Sequence, residues 1–286
     1  MGCYSLDASK AVGVAVALSL IGYAVGNIIR FLPGVSRSTR ASAASMVDYA
    51  VACLMFAAFA GGIVGLLDSV ITAFVPAPYL EDPASCKLVE DFFQNSVWKA
   101  AAIIGGLGGI AAALPFIPVV GAAISIAFTV AVAPLLIILG SIILPTSALN
   151  YVIVAAFKWA GPFLFPAGVA AIATPNRLLK GLGAVLISFA IVFYTALPII
   201  PYAVISIMGW SGPEEFLKTL GEYESQIESL KESPTAGIFD VFNITKFYET
   251  VIDWAVACLL TAVFVAIAFA AARGLSQSLG GVSASV

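Results

Sequence analysis

The stretch that decides the fold class runs from Trp98 to Thr174 and reads WKAAAIIGGLGGIAAALPFIPVVGAAISIAFTVAVAPLLIILGSIILPTSALNYVIVAAFKWAGPFLFPAGVAAIAT. Its only charges are Lys99, at the edge, and Lys158. A transmembrane helix needs about 20 predominantly apolar residues, so this length fits three spans joined by tight turns. The best candidates for the turns are Pro115–Pro118 and Pro145–Asn150, because prolines and small polar residues end helices.

The rest of the chain extends this pattern. The 286 residues are 61% hydrophobic and 10% charged, with a mean hydropathy of +1.06, and so few charges cannot cover the surface of a soluble protein. We predict one all-α domain over residues 1–286, a multi-pass helical bundle of about seven spans in the plasma membrane. The predicted spans are approximately 11–29, 49–75, 98–114, 119–144, 148–174, 181–210 and 250–272.

The basic residues orient these spans. Cytoplasmic loops of membrane proteins are enriched in Lys and Arg, and the first loop, the loop after the fifth span and the end of the last span carry them. These residues are Arg30, Arg37, Arg40, Arg177, Lys180 and Arg273. The loops 76–97 and 211–249 are acidic. Seven spans with the N-terminus outside and the C-terminus in the cytoplasm therefore put all five Arg on one face.

Composition also argues against catalysis. Histidine is absent, which removes the commonest general base and zinc ligand. The four cysteines, at positions 3, 53, 86 and 258, show no metal-ligand spacing. The net charge of −3 excludes a basic surface for nucleic acid over the whole chain. We therefore expect no enzymatic activity, no metal and no cofactor.

Two features fall on the face predicted to lie outside. Cys3 and Cys86 are the only cysteines there, so they either pair as a disulfide or remain two unrelated thiols. Asn243 begins an Asn-Ile-Thr glycosylation sequence close to the last span.

The acidic outer loop also predicts a helix over 213–231. Its apolar residues recur at spacings of three and four and form one narrow stripe. They are Phe216, Leu220, Tyr223, Ile227 and Leu230. The stripe either packs on the protein's own outer surface or docks another subunit.

Lys158 is the one charge well inside a predicted span. Its stem can reach toward the interface, or its ammonium can face an aqueous path or a carboxylate partner. Asp48, Asp68 and Asp253 lie near predicted span ends, where water is close. A coupled pump needs several buried carboxylates or a histidine chain, which one Lys does not supply.

Glycines and prolines are more numerous than charged residues inside the predicted spans. Gly61, Gly62 and Gly65, and a second set at 105, 106, 108 and 109, offer small-residue faces for close helix contact. The string ALPFIP at 113–118 is echoed by ALPIIP at 196–201. This echo is either an inverted repeat of the transporter type or a coincidence of composition.

The C-terminal segment carries a family resemblance. It reads Asp253-Trp254-Ala255, then an apolar span, then AARGLSQSLGG over 271–281. Together with the span count and the large outer loop before the last span, it resembles the polytopic membrane subunit of conjugation and type IV secretion machines. The crenarchaeal DNA-import CedA family is the nearer likeness.

This resemblance implies a channel subunit that forms a ring of copies in the plasma membrane beneath a pilus. Such a ring passes single-stranded DNA, driven by a separate ATPase. The basic residues listed above would then be phosphate contacts at the cytoplasmic mouth. Two other classes remain: a secondary transporter of a small apolar solute built on broken helices around Lys158, and a non-conducting membrane scaffold.

Overall fold

The computed structural model of the chain describes residues 8–76, 84–116, 121–173, 177–210, 218, 221–222 and 244–279. Side chains are described at these positions except 8–11, 52, 56, 60–61, 84–91, 121–124, 127, 173, 177–178 and 244–246.

The described residues are almost entirely helical and include no strand. The helices are α1 (Ala8–Phe31), α2 (Arg37–Phe74), α3 (Ala84–Ala113), α4 (Gly121–Ile138), α5 (Leu144–Ala173), α6 (Arg177–Met208) and α7 (Ile244–Ser278). A short 3-10 turn, Leu114–Phe116, follows α3, and a π-turn, Leu139–Ile143, joins α4 to α5. The predicted all-α polytopic fold is confirmed.

Six helical segments in the described residues are long and apolar enough to cross a membrane. They are Val12–Phe31, Arg37–Phe74, Phe92–Phe116, Phe128–Ile172, Leu179–Met208 and Phe247–Ser278. Large apolar side chains point outward from them: Trp159 is 80% exposed, Phe163 73% and Phe59 67%. Water would penalise such a surface, whereas lipid chains match it, so the exposed residues agree with a membrane protein.

The turn predicted at Pro145–Asn150 does not form, because the chain accommodates Pro145 inside one continuous helix. Proline lacks an N–H and clashes with the preceding turn. Here the π-turn precedes it, with the Leu144 N–H donating to the Leu139 carbonyl, and the Thr146 hydroxyl donates to the carbonyls of Ile142 and Ile143. The π-turn rearranges the backbone bonds ahead of Pro145, and the Thr146 hydroxyl adds bonds to the preceding turn, so the helix continues past the proline.

The segment Phe128–Ile172 is therefore one 45-residue helical path where two spans, 119–144 and 148–174, were expected. At 1.5 Å per residue such a helix is about 68 Å long, more than twice the hydrocarbon thickness of about 30 Å. The last helix is also longer than expected: it continues through Ser278, six residues past the predicted end at 272. Most of the tail that carries the family resemblance is thus helical.

The loop between α1 and α2 has a clear local cause. Pro33 and Gly34, which adopts φ +89°, end α1, since a left-handed backbone suits glycine. Ser36 then caps α2: its hydroxyl accepts from the Thr39 N–H at 3.2 Å. Gly26 lets the two helices approach closely, because a Cβ there would lie 3.0 Å from the Ala43 carbonyl oxygen. The predicted first loop and its arginines are therefore a tight helical hairpin.

The chain divides into two compact units. Unit 1 consists of residues 1–86, 156–199 and 266–286, and unit 2 of 87–155 and 200–265. Their charges differ in sign: unit 1 carries eight Lys and Arg against five Asp and Glu, and unit 2 carries five against eleven. All five Arg belong to unit 1.

Candidate functional site

Two contacts in unit 1 fix the direction of α6 relative to α2. The Lys180 Nζ lies 5.1 Å from the centroid of the Tyr49 ring, a cation–π distance. Further along both helices, the Tyr194 hydroxyl donates to Asp68 at 2.7 Å. Residue numbers rise together in the two pairs, so α2 and α6 run parallel and begin at the same end of unit 1.

The other helices of unit 1 run the opposite way. Contacts of Gly22 and Gly26 with the first turns of α2 make α1 antiparallel to it. The pairs Gly168–Ile187 and Phe157–Phe193 make α5 antiparallel to α6. For α7, Phe269 contacts Phe189 and Phe193, and the cavity beside them extends toward earlier residues of α6 and later residues of α7, so α7 is also antiparallel to α6. Consequently α1, α5 and α7 finish at the end where α2 and α6 begin. We call this the basic end of unit 1.

The basic end gathers the predicted phosphate contacts. Arg30 lies near the end of α1, Arg37 and Arg40 in the first turn of α2, Arg177 at the start of α6 and Arg273 near the end of α7. The first three and Arg273 are exposed. The sequence predicted one face for all five Arg, and the helix directions bring the helix ends that carry them to one end of unit 1.

Three of the predicted phosphate contacts already have partners within the protein: Arg40, Lys180 and Arg273. The Arg40 guanidinium lies 3.5 Å from the Leu32 carbonyl oxygen, across the α1–α2 loop. Lys180 sits over Tyr49 as described above. The side chain of Arg177 lies outside the described part. Arg30 and Arg37 are exposed and lie at the two helix ends that border the α1–α2 loop.

Four phenylalanines form a cluster inside unit 1, from α5, α6 and α7. The Phe157 and Phe193 rings stack at 4.1 Å, and Phe269 meets Phe189 and Phe193 edge to face at 5.6 and 4.9 Å. Offset-stacked and edge-to-face pairs are the favoured aromatic geometries. Phe193 is fully buried. The cluster packs the three helices together through apolar contacts.

A cavity of about 450 Å³ opens beside this cluster between α6 and α7. Its described lining is Val185, Phe189, Phe269, Ala270, Arg273, Ser276 and Gln277. The α7 residues recur at helical spacing, so one face of α7 changes from apolar at Phe269 to polar at Gln277. A cavity with a cation at one end and aromatic side chains at the other fits an amphipathic anion. Arg273 lies near the end of α7, but nothing local in the sequence indicates the cavity.

Unit 2 contains a separate group of buried polar side chains, from α3, α5 and α7. Ser96, Ser147, Asn150 and Thr261 are each 4% exposed or less. The Ser147 hydroxyl lies 3.3 Å from the Cys258 sulfur, and those of Ser96 and Thr261 donate to carbonyls in their own helices. The space among them is about 10 Å³, room for one water at most. This group joins helices and is too small for a solute.

The remaining predicted site residues are scattered. Lys158 lies on an exposed face of α5 and has a contact within the protein. Cys53 and Cys258 are buried free thiols, as expected of cysteines within spans. Cys3, Asn243 and the side chain of Cys86 lie outside the described residues, as does most of 213–231. The predicted disulfide, glycosylation site and outer helix thus stay predictions.

Five of the seven glycines predicted for close helix contact do not make it within the described structure. A Cβ added at Gly62, Gly65, Gly105, Gly108 or Gly109 would meet no described atom within 4 Å. Close approach occurs instead where α5 crosses α6: a Cβ on Gly183 would lie 2.6 Å from the Gly168 carbonyl oxygen. The pairs Ala167-Gly168 and Gly183-Ala184 were the available signal in the sequence.

No protein-family model, curated protein or solved structure matches the chain.

Proposed function

We propose that this protein is the membrane-embedded channel subunit of a DNA-transfer machine related to type IV secretion and conjugation systems. In this role it acts as a homo-oligomer in the plasma membrane and passes single-stranded DNA. The observation that carries the proposal is the basic end of unit 1, where the four helix ends that bear the five Arg meet. The resemblance of the segment 253–281 to the CedA family supplies the class of machine.

The basic end suits a polyanion that enters or leaves on the cytoplasmic side. Phosphate contacts of Lys and Arg are independent of base sequence and weaken with salt. Arg30 and Arg37 are exposed beside a rigid capped loop, so they can meet a passing phosphate without ordering a flexible segment. The acidic composition of unit 2 repels DNA from other surfaces.

The open glycine face of α3 supports assembly with further copies. Ala101, Gly105, Gly108, Gly109 and Ala112 are all exposed, which leaves a smooth strip of backbone along the helix. In membranes, small residues at such strips allow helices of neighbouring subunits to pack closely. A pilus subunit and a separate ATPase complete the machine in this proposal, because the chain carries no nucleotide-binding motif in its sequence.

The helix directions in unit 1 bear on how the chain crosses the membrane. α1 begins at the end opposite the basic end, and α7 finishes at the basic end. If the basic end is cytoplasmic, as the positive-inside rule requires, the N-terminus lies outside and the C-terminus inside.

A charge-removal variant tests the function. The triple variant Arg30→Gln, Arg37→Gln, Arg40→Gln should reduce DNA transfer between cells by about tenfold or more, since each phosphate contact contributes to binding. Its membrane insertion and oligomer size should be unchanged. The matched control, Lys218→Gln, Lys231→Gln, Lys246→Gln, removes the same charge from the loop predicted to lie outside and should transfer DNA normally.

Two results would overturn the proposal. One is DNA transfer that persists unchanged when the gene is deleted. The other is a purified protein that is monomeric and binds a small solute, which would favour the secondary transporter, since a transporter protomer contains its own pathway. A stable assembly that leaves transfer unaffected in every variant would instead indicate the scaffold.

A further inference from the structure

We propose that the cavity between α6 and α7 in unit 1 binds an anionic phospholipid, with the phosphate on Arg273 and an acyl chain against Phe189 and Phe269. This inference concerns a different ligand from the translocated DNA and stands without the proposed function. It assigns Arg273 to lipid binding, apart from the arginines of the first loop.

The lining matches the two ends of a phospholipid. Val185, Phe189, Phe269 and Ala270 supply apolar and aromatic walls, and Arg273 with Ser276 and Gln277 supplies a cation and hydrogen-bond donors. A guanidinium binds phosphate oxygens through a planar pair of N–H donors. A volume of about 450 Å³ lies within the range of sites that enclose a ligand of moderate size.

The position of these residues along α7 agrees with the depth of a lipid headgroup. α7 ends at Ser278, five residues after Arg273, and Phe269 lies one turn before Arg273. The polar part of the cavity is thus at the helix end and the apolar part faces the span. A basic pocket between transmembrane helices on the cytoplasmic side is a typical site for anionic headgroups.

Charge complementarity favours a lipid over DNA in this cavity. Single-stranded DNA presents a phosphate at every nucleotide and is held by grooves with many cations. The described lining contains one cation, Arg273, which matches the single phosphodiester of one phospholipid. The Phe189 and Phe193 rings are 5.8 Å apart and nearly parallel, and Phe269 meets both edge to face, so neighbouring rings already cover much of the surface on which bases would stack.

Native mass spectrometry of the full-length protein, released from vesicles of phosphatidylcholine with added phosphatidylglycerol, tests the site. Wild type should retain phosphatidylglycerol in preference to phosphatidylcholine. Arg273→Gln should lower the retained phosphatidylglycerol about fivefold, the effect of one basic residue at a membrane surface. Arg40→Gln, which removes an exposed arginine outside the cavity, is the matched control and should retain the lipid as wild type does.

A second variant separates the cavity from the charge. Ala270→Phe fills the cavity from an exposed wall position and keeps Arg273, so it should lower retention of both lipids. It also provides the test if Arg273→Gln fails to insert. The proposal is overturned if both variants retain phosphatidylglycerol at the wild-type level. It is also overturned, in favour of a DNA site, if Arg273→Gln keeps the lipid but binds a single-stranded oligonucleotide more weakly than wild type.

Discussion

The Tyr194 hydroxyl donates a 2.7 Å hydrogen bond to a carboxylate oxygen of Asp68, and so ties α6 to α2 within unit 1. Tyr194 is only 8% exposed, and the acceptor is a carboxylate inside a segment long and apolar enough to span a membrane. Together with the contact between Lys180 and Tyr49, the bond fixes two helices in parallel at two points. It therefore fixes the position of α6 along α2, which brings the starts of both helices to the basic end.

Removing this bond should destabilise the protein modestly. We expect Tyr194→Phe to lower the free energy of unfolding by about 1 kcal/mol, because interhelical hydrogen bonds in membranes are individually weak. Thermal unfolding in detergent measures the change. Asp68→Asn combined with Tyr194→Phe should cost less than the sum of the two single changes. Tyr23→Phe, at an exposed site on α1, is the control; a loss in Tyr194→Phe no larger than in this control would show that the bond does not stabilise the fold.

The α5–α6 crossing should tolerate no added atom. Gly183→Ala places a Cβ 2.6 Å from the Gly168 carbonyl oxygen and 2.8 Å from the Ile172 backbone nitrogen. Neither backbone atom can move away without shifting its helix, so we expect a loss of roughly 3 kcal/mol or failure to insert. Gly274→Ala, where a Cβ meets no described atom within 4 Å, should retain wild-type stability. Equal melting temperatures for the two variants would contradict the close crossing.

The glycine face of α3 should matter for assembly and not for folding. The double variant Gly105→Leu, Gly109→Leu adds bulk where the described structure leaves open space, so the subunit should still fold. We expect its self-association to weaken about tenfold, because the helices of neighbouring copies can no longer approach. Single-molecule mass measurement in detergent, repeated over a range of protein concentrations, measures the fraction of oligomer. Gly274→Leu is the control, and an unchanged oligomer in the α3 variant would exclude this face as the contact.

The orientation of the termini can be read from intact cells. In a background without native cysteines, a cysteine at Ser5 should react with an impermeant reagent from outside, and one at Ser283 should react only after permeabilisation. The expectation follows from the positive-inside rule applied to the basic end. Labelling of both positions from outside would place the termini on the same side and contradict the odd number of spans.

The Cys3 to Cys86 bridge is tested by alkylation of the native protein. If the bridge exists, two more thiols become reactive after reduction, and the mass shift grows by two alkyl groups. The buried Cys53 and Cys258 must be counted in the unfolded protein, because they are protected in the folded one. Four alkylated thiols without reductant would mean that the bridge is absent.

Composition and hydropathy were sufficient to predict the all-α polytopic class, because a lipid environment requires long apolar helices. The predicted turn at Pro145 failed for a physical reason. Whether a proline ends a helix depends on the backbone geometry and side-chain bonds around it, and here the Leu139–Ile143 π-turn and the Thr146 hydroxyl let the helix continue.

The sequence indicates which charged residues belong to the candidate site, but it does not indicate the shape of the cavity. Positive residues collect at loops by a rule that sequence alone reveals, so the Arg set was identified. The cavity depends on how α6 and α7 meet at Phe189 and Phe269, 80 residues apart in the chain. Likewise, the choice between Gly168 and Gly105 as a packing glycine depends on the neighbour each one faces, which a list of small residues does not contain.

The α1–α2 hairpin has a consequence for how the protein is made. Its contacts join residues close in the chain: Gly26 packs on Ala43 and Val47, and the Ser36 cap closes the loop between them. Such local contacts can form as soon as the first two spans have left the ribosome, whereas Tyr194 must await α6. We expect α1 and α2 to enter the bilayer as a pair that has already formed. Its arginines then stay on the cytoplasmic side, where the protein is synthesised, and the later helices pack on this pair.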